Sequence, residues 1–143
     1  MKVSYRTLPL VRALAIALVL LLPPALARAA RTTPPAVAPS FTADQAHKGQ
    51  TAYYVSCAEC HGVQLEGQYG PALSGPNGNT QWYPVAYVYA YMTAQMPVGN
   101  ADGLSQEQYL DIMAFLLQSH HHRPGTKPLT DSVASTSPTI LGP

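Results

Sequence analysis

Cys57-Ala58-Glu59-Cys60-His61 is a Cys-x-x-Cys-His pentapeptide, the attachment signature of a c-type haem. The spacing has a physical reason. Two thiols three residues apart can add to the two vinyl groups along one porphyrin edge. The histidine directly after the second thiol can turn its ring toward the iron. One short turn therefore supplies two covalent anchors and one axial ligand. The pentapeptide implies one covalently attached haem c and its iron, held by Cys57, Cys60 and His61.

Two other chemistries use cysteine pairs of this kind. A thioredoxin-like dithiol lies at a helix start after a strand, inside a βαβ pattern. Here the pair ends a helical pattern and no strand pattern precedes it. A structural zinc site needs four ligands, and no second Cys or His pair stands at the usual spacing.

The sequence around the pentapeptide reads as helices and long loops. Thr42-Ala43-Asp44-Gln45 fits a capping box, and Asp44 suits the positive end of a helix. That helix should run to about Ser56, with Gly49, Tyr53 and Cys57 on one face. Gly62 to Gln81 is rich in Gly, Pro, Asn and Ser and reads as loop. Pro84 can open a second helix through about Thr93, with an aromatic face of Tyr83, Tyr87 and Tyr91. Pro97 ends any helix there. Ser105-Gln106-Glu107-Gln108 is a second capping box, with Leu104 and Tyr109 at the staple positions. Tyr109, Ile112, Met113 and Leu116 then repeat at i, i+3, i+4 and i+7. Pro124-Gly125 stops this last helix after about Ser119. The expectation is an all-α domain: three main helices and two long loops wrapped around a planar apolar ligand.

The ends of the chain read differently. Lys2, Arg6 and Arg12 precede a ten-residue apolar run, Ala13 to Leu22. That is short of the about 20 residues that span a bilayer. Pro23-Pro24 and small residues follow, which is the pattern of a cleavable export signal over residues 1–29. Cleavage after Ala29 is favoured, with Ala25-Leu26-Ala27 as the other site and an uncleaved anchor as the other outcome. Export places the protein in the periplasm, with no stable membrane span. Residues 30–40 read as a flexible leader, 41–119 as the domain, and 120–143 as an extended tail. Four of the eight Lys+Arg (Lys2, Arg6, Arg12, Arg28) precede Ala30 and all seven acids follow it. The exported part thus carries a net charge of −3 and has no basic stripe for nucleic acid.

The remaining site residues are argued from chemistry. Pro71, in the turn Gly70-Pro71, can offer a carbonyl to the second ring nitrogen of His61, or be a plain turn residue. Three methionines follow the signal: Met92, Met96 and Met113. Met113 and Met92 fall on helices, where core packing accounts for them. Met96 stands at a helix end before Pro97, 35 residues after His61, and is the expected second axial ligand. A soft, neutral thioether favours Fe(II) and raises the reduction potential. With the sixth position filled, one-electron transfer is expected rather than catalysis. Trp82 and Tyr83 are candidate donors to the haem propionates, or ordinary core. His120-His121-His122 reads as a solvated helix cap, or as a run that binds copper or nickel adventitiously.

From about Phe41 to Gln118 the chain resembles the class I mono-haem cytochromes c. The resemblance is carried by Gly49-x-x-x-Tyr53 before Cys57, by Ala114-Phe115-Leu116, by Gly70-Pro71-Ala72-Leu73-Ser74-Gly75, and by Met96-Pro97. It implies a cytochrome c fold in which the glycine admits a close helix crossing and Pro71 O accepts from His61. A narrower likeness is to small cytochromes associated with quinoprotein (PQQ-dependent) alcohol and sugar dehydrogenases. It is carried by Leu65-Glu66-Gly67, Met96-Pro97-Val98-Gly99 and Tyr109-Leu110-Asp111-Ile112. It implies a donor dehydrogenase and an acceptor such as an oxidase or another cytochrome. Lys48 and Lys127 are the only lysines after the signal, so a lysine-rimmed docking surface is not expected. The competing readings are a haem enzyme or small-ligand sensor with a labile distal ligand, and a haem subunit of a larger dehydrogenase complex.

Overall fold

The structure is a computed structural model that describes residues 39–142. The export signal expected over residues 1–29, and nearly all of the leader, lie outside the described residues. Among the described residues the regular structure is helical, and the sole β-type pairing is an isolated antiparallel bridge between Pro84 and Ile140. No described helix is long and apolar enough to cross a membrane.

Helix α1 (Ala43–Ser56) starts where its cap chemistry places it: Thr42 is extended and its side chain accepts from Gln45 N–H. A single turn, α2 (Ala58–His61), follows at once and carries the pentapeptide. A 3₁₀ turn at Thr80–Trp82 interrupts the loop. Helix α3 (Val85–Gln95) begins one residue after Pro84, so the proline is its N-cap rather than its first residue. Helix α4 (Gln106–Ser119) opens on a complete capping box, with Ser105 and Gln108 each bonding the other's backbone N–H. A short helix, α5 (Asp131–Ala134), completes the order.

The core forms where α1 crosses α4. Tyr53, Phe41, Ile112, Met113 and Leu117 are fully buried there. Each such side chain contributes about 1.5–3 kcal/mol by leaving water. Gly49 is the point of closest approach: a Cβ there would stand 1.8 Å from Asp111 O. The buried face of α3 is Val85, Val88, Tyr89 and Met92. The tyrosines at 83, 87 and 91 lie on its exposed side, stacked with ring centroids 4.8 and 6.4 Å apart. The spacing by four was real, but it marks the outer face of the helix.

Residues 120–142 differ most from expectation. They form a packed strap rather than an extended tail. Leu129, Ala134 and Leu141 are buried in the core. Gln45 bonds Leu129 twice, donating from Nε2 to its carbonyl (3.1 Å) and accepting its N–H (2.7 Å). His120 is not a solvated cap. It is 4% exposed, its Nδ1 bonds Gly142 O, and its Nε2 lies 3.0 Å from Leu73 O. Among the described residues no group of three or more His, Cys, Asp or Glu side chains is arranged to hold a metal ion.

Gly49→Ala should lower stability by about 3 kcal/mol in denaturant unfolding, because the added methyl meets backbone that cannot yield. Burial pushes the His120 pKa below its usual 6.5, outweighing the backbone bonds to Gly142 and Leu73. A lowered folded pKa means that stability is complete above pH 6.5 and falls as pH drops below it. His121 and His122, which stand beside the ring, oppose its protonation too. The denaturant midpoint should therefore fall between about pH 7.5 and about pH 5, and by less in His120→Gln.

Candidate functional site

Cys57 closes α1 and caps α2 at once. Its N–H donates to Tyr53 O (2.8 Å), and its carbonyl accepts from Cys60 N (3.1 Å) and His61 N (2.9 Å). The turn thus sets the backbone positions of both cysteines and the histidine by backbone bonds alone. Both cysteines are free, Cys57 half-buried and Cys60 exposed. Burial, with a smaller contribution from Cys60, pushes the Cys57 thiol up to about 11.

His61 is 8% exposed, and its Nδ1 lies 2.8 Å from Pro71 O. A carbonyl only accepts, so the bonded tautomer carries its proton on Nδ1. That leaves a lone pair on Nε2, which makes no hydrogen bond among the described residues. The loop is shaped to bring this carbonyl round. Cys60 O accepts from Gln68 N (3.0 Å) and Gly70 N (2.8 Å), while His61 O accepts from Gly67 N (2.8 Å). Position 70 must lack a side chain, because a Cβ would stand 2.9 Å from His61 Cε1. Gly70-Pro71 therefore serves as a pair, the glycine making room for the ring and the proline carbonyl orienting it.

Two tyrosine hydroxyls that the sequence did not single out brace the site. Tyr53, fully buried, donates to Gly62 O at 2.6 Å, directly beyond His61. Burial pushes its hydroxyl pKa upward, so it stays a donor at any ordinary pH. Tyr109 donates to Met96 O at 2.7 Å. The helical spacing put both on core faces, but a periodic pattern shows the ring and not the reach of its hydroxyl.

Met96 is the C-cap of α3, in extended conformation (φ −123°, ψ 148°), and is partly buried against the core. Met92 and Met113 are both in the core. Neither Trp82 nor Tyr83 is core: they are 74% and 44% exposed. Their alternative reading as buried packing residues is thereby removed.

The residues fit a covalently bound haem. Two unpaired thiols sit on one turn, and the adjoining imidazole has one nitrogen committed to orientation and the other unbonded. The glycine that would otherwise obstruct that ring carries no side chain. Among known families, the model described as cytochrome c oxidase, cbb3-type, subunit III matches residues 44–116, just over half of the chain. No curated protein and no solved structure matches.

Tyr53→Phe tests the bracing. It should leave Gly62 O with only the longer bond from Leu65 N–H (3.3 Å) and cost about 0.5–1.5 kcal/mol in denaturant unfolding, with both thioether links retained by mass.

Proposed function

This chain belongs to the family described as cytochrome c oxidase, cbb3-type, subunit III, and we propose that it is a one-electron carrier whose iron is held between His61 and Met96. As a mono-haem class I cytochrome c it carries haem c covalently, with Cys57 and Cys60 as the attachment thiols. The bound haem supplies reversible Fe(II)/Fe(III) chemistry.

The observation that carries the axial assignment is the state of the two candidate ligands. His61 has its Nδ1 bonded to Pro71 O and its Nε2 unbonded. Met96 terminates α3 with its carbonyl held by Tyr109. Its side chain is only partly buried against the core, whereas those of Met92 and Met113 are buried within it. The Pro71 carbonyl fixes the tautomer of the imidazole and steadies the ring. A thioether opposite it favours Fe(II) and closes the sixth position to small molecules. Trp82 and Tyr83, adjoining and exposed, are the proposed propionate donors.

The export signal supports action in the periplasm. The donor we favour is a quinoprotein dehydrogenase, on the motif likeness at Leu65-Glu66-Gly67 and Met96-Pro97-Val98-Gly99. The acceptor would be an oxidase or another cytochrome. The exported chain has few lysines, so docking by charge attraction has little support and apolar contact fits better. A second reading, a haem subunit held in a larger complex, is favoured by the exposed, uncharged aromatic face of Trp82, Tyr83, Tyr87 and Tyr91. Native mass of the protein from its source separates the two.

The carrier reading predicts that the ferrous protein does not bind carbon monoxide at neutral pH. Met96→Ala should bind it rapidly and lose the far-red thioether-to-iron band of the ferric form. Rapid binding by the unaltered protein would instead indicate an enzyme or sensor.

A further inference from the structure

The strap takes no part in the reading above, yet its bonds converge on the helix that ends at Met96. No side chain caps the start of α3, although the first amides of a helix need acceptors from outside it. The strap provides them. Val85 N–H donates to Thr139 O (2.8 Å) and Ala86 N–H to Ser137 O (3.1 Å). In return, Leu141 N–H donates to Tyr83 O and Gly142 N–H to Gln81 O, both at 3.0 Å. Further along, Tyr89 donates to Asp131 Oδ1 at 2.9 Å. The helix carries no charged residue, and its outer face is open. Its beginning is therefore fastened to the strap, while its end is tied to α4 through the Tyr109 hydroxyl on Met96 O.

The end of the strap is in turn held by two histidines. His122 Nε2 lies 2.7 Å from Leu141 O. His120, at the C-terminus of α4, bonds Gly142 O through Nδ1. Its Nε2 stands 3.0 Å from Leu73 O and 3.2 Å from Thr80 Oγ1. Leu73 lies two residues beyond Pro71, the acceptor for His61. One buried imidazole thus joins the end of α4, the end of the strap and the loop that orients the proximal histidine.

We propose that His120 is a positioning residue for the redox centre: it latches the strap, the strap caps α3, and α3 determines where the Met96 sulfur stands. This rests on the reading of Met96 as the second axial ligand. Without the latch, the start of α3 loses its acceptors for part of the time, and the Met96 sulfur is held at the iron for a smaller fraction of molecules. An outside ligand then competes for the iron more easily, because its apparent affinity scales with the population of the open state.

The test is an imidazole titration of the full-length, haem-loaded ferric protein, followed by the far-red thioether band. His120→Ala should bind imidazole about tenfold more tightly. His120→Gln, whose amide can again donate to Gly142 O, should recover most of the unaltered affinity. Ile112→Val, a core change that touches no strap bond, should lower the melting temperature and leave imidazole affinity unchanged. If His120→Ala does not accumulate, His122→Ala should show a smaller shift in the same direction. Unchanged affinity in the histidine variants, or an equal shift in Ile112→Val, overturns the latch while the Met96 ligand stands. An unaltered protein without the far-red band overturns the Met96 assignment itself, and the latch with it.

Discussion

Helix α1 can lie against α4 only because residue 49 has no side chain. A methyl there would stand 1.8 Å from the Asp111 carbonyl, closer than any relaxation of one side chain could relieve. The rest of the site depends on that crossing. It buries Tyr53 one turn later, and Tyr53 holds the carbonyl that follows His61. It also places Cys57 at the end of the same helical face, where the pentapeptide turn begins. A backbone contact between two helices thus fixes the start of the haem-attachment turn, before any ligand contributes energy.

The two proposed axial ligands are positioned by different means. His61 stands on a short turn and is oriented by one carbonyl ten residues away, reached through a loop whose glycines let it close on the ring. Met96 lies at the end of a helix whose two ends are fastened to different parts of the chain. The proximal side is local in sequence and the distal side is not. That asymmetry agrees with a centre in which the histidine is constant and the thioether is the adjustable ligand.

The sequence disclosed the fold where local chemistry decides structure. Thr42 and Ser105 are side-chain caps, and both helices begin where those residues predict. The period of Tyr109, Ile112, Met113 and Leu116 named four buried residues of α4, but the helix is covered on more than that face, with Asp111, Ala114, Phe115 and Leu117 buried as well. On α3 the same reasoning singled out a face at Tyr83, Tyr87 and Tyr91 without saying which way it points. The helix is apolar nearly all round, and tyrosine tolerates either side. The strap was not legible because it is attached by backbone bonds and by isolated side-chain bonds from Gln45, Tyr89, His120 and His122, which leave no periodic pattern. The histidine run that latches it has the composition of a solvated cap. Pro71 could be anticipated as the acceptor for His61, but the hydroxyls of Tyr53 and Tyr109 could not, since reach is a tertiary property.

The proposed bond between the Met96 sulfur and the iron, opposite His61, is open to direct observation. Proton NMR of the ferrous, diamagnetic protein tests it most directly, because a methyl group held over the macrocycle is displaced far upfield by its ring current. With Met96 as the ligand, a three-proton singlet stands in that region, assigned to Met96 by selective labelling and unaffected by Met92→Leu. A spectrum without that singlet, or one in which Met92→Leu removes it, would rule out Met96 as the ligand.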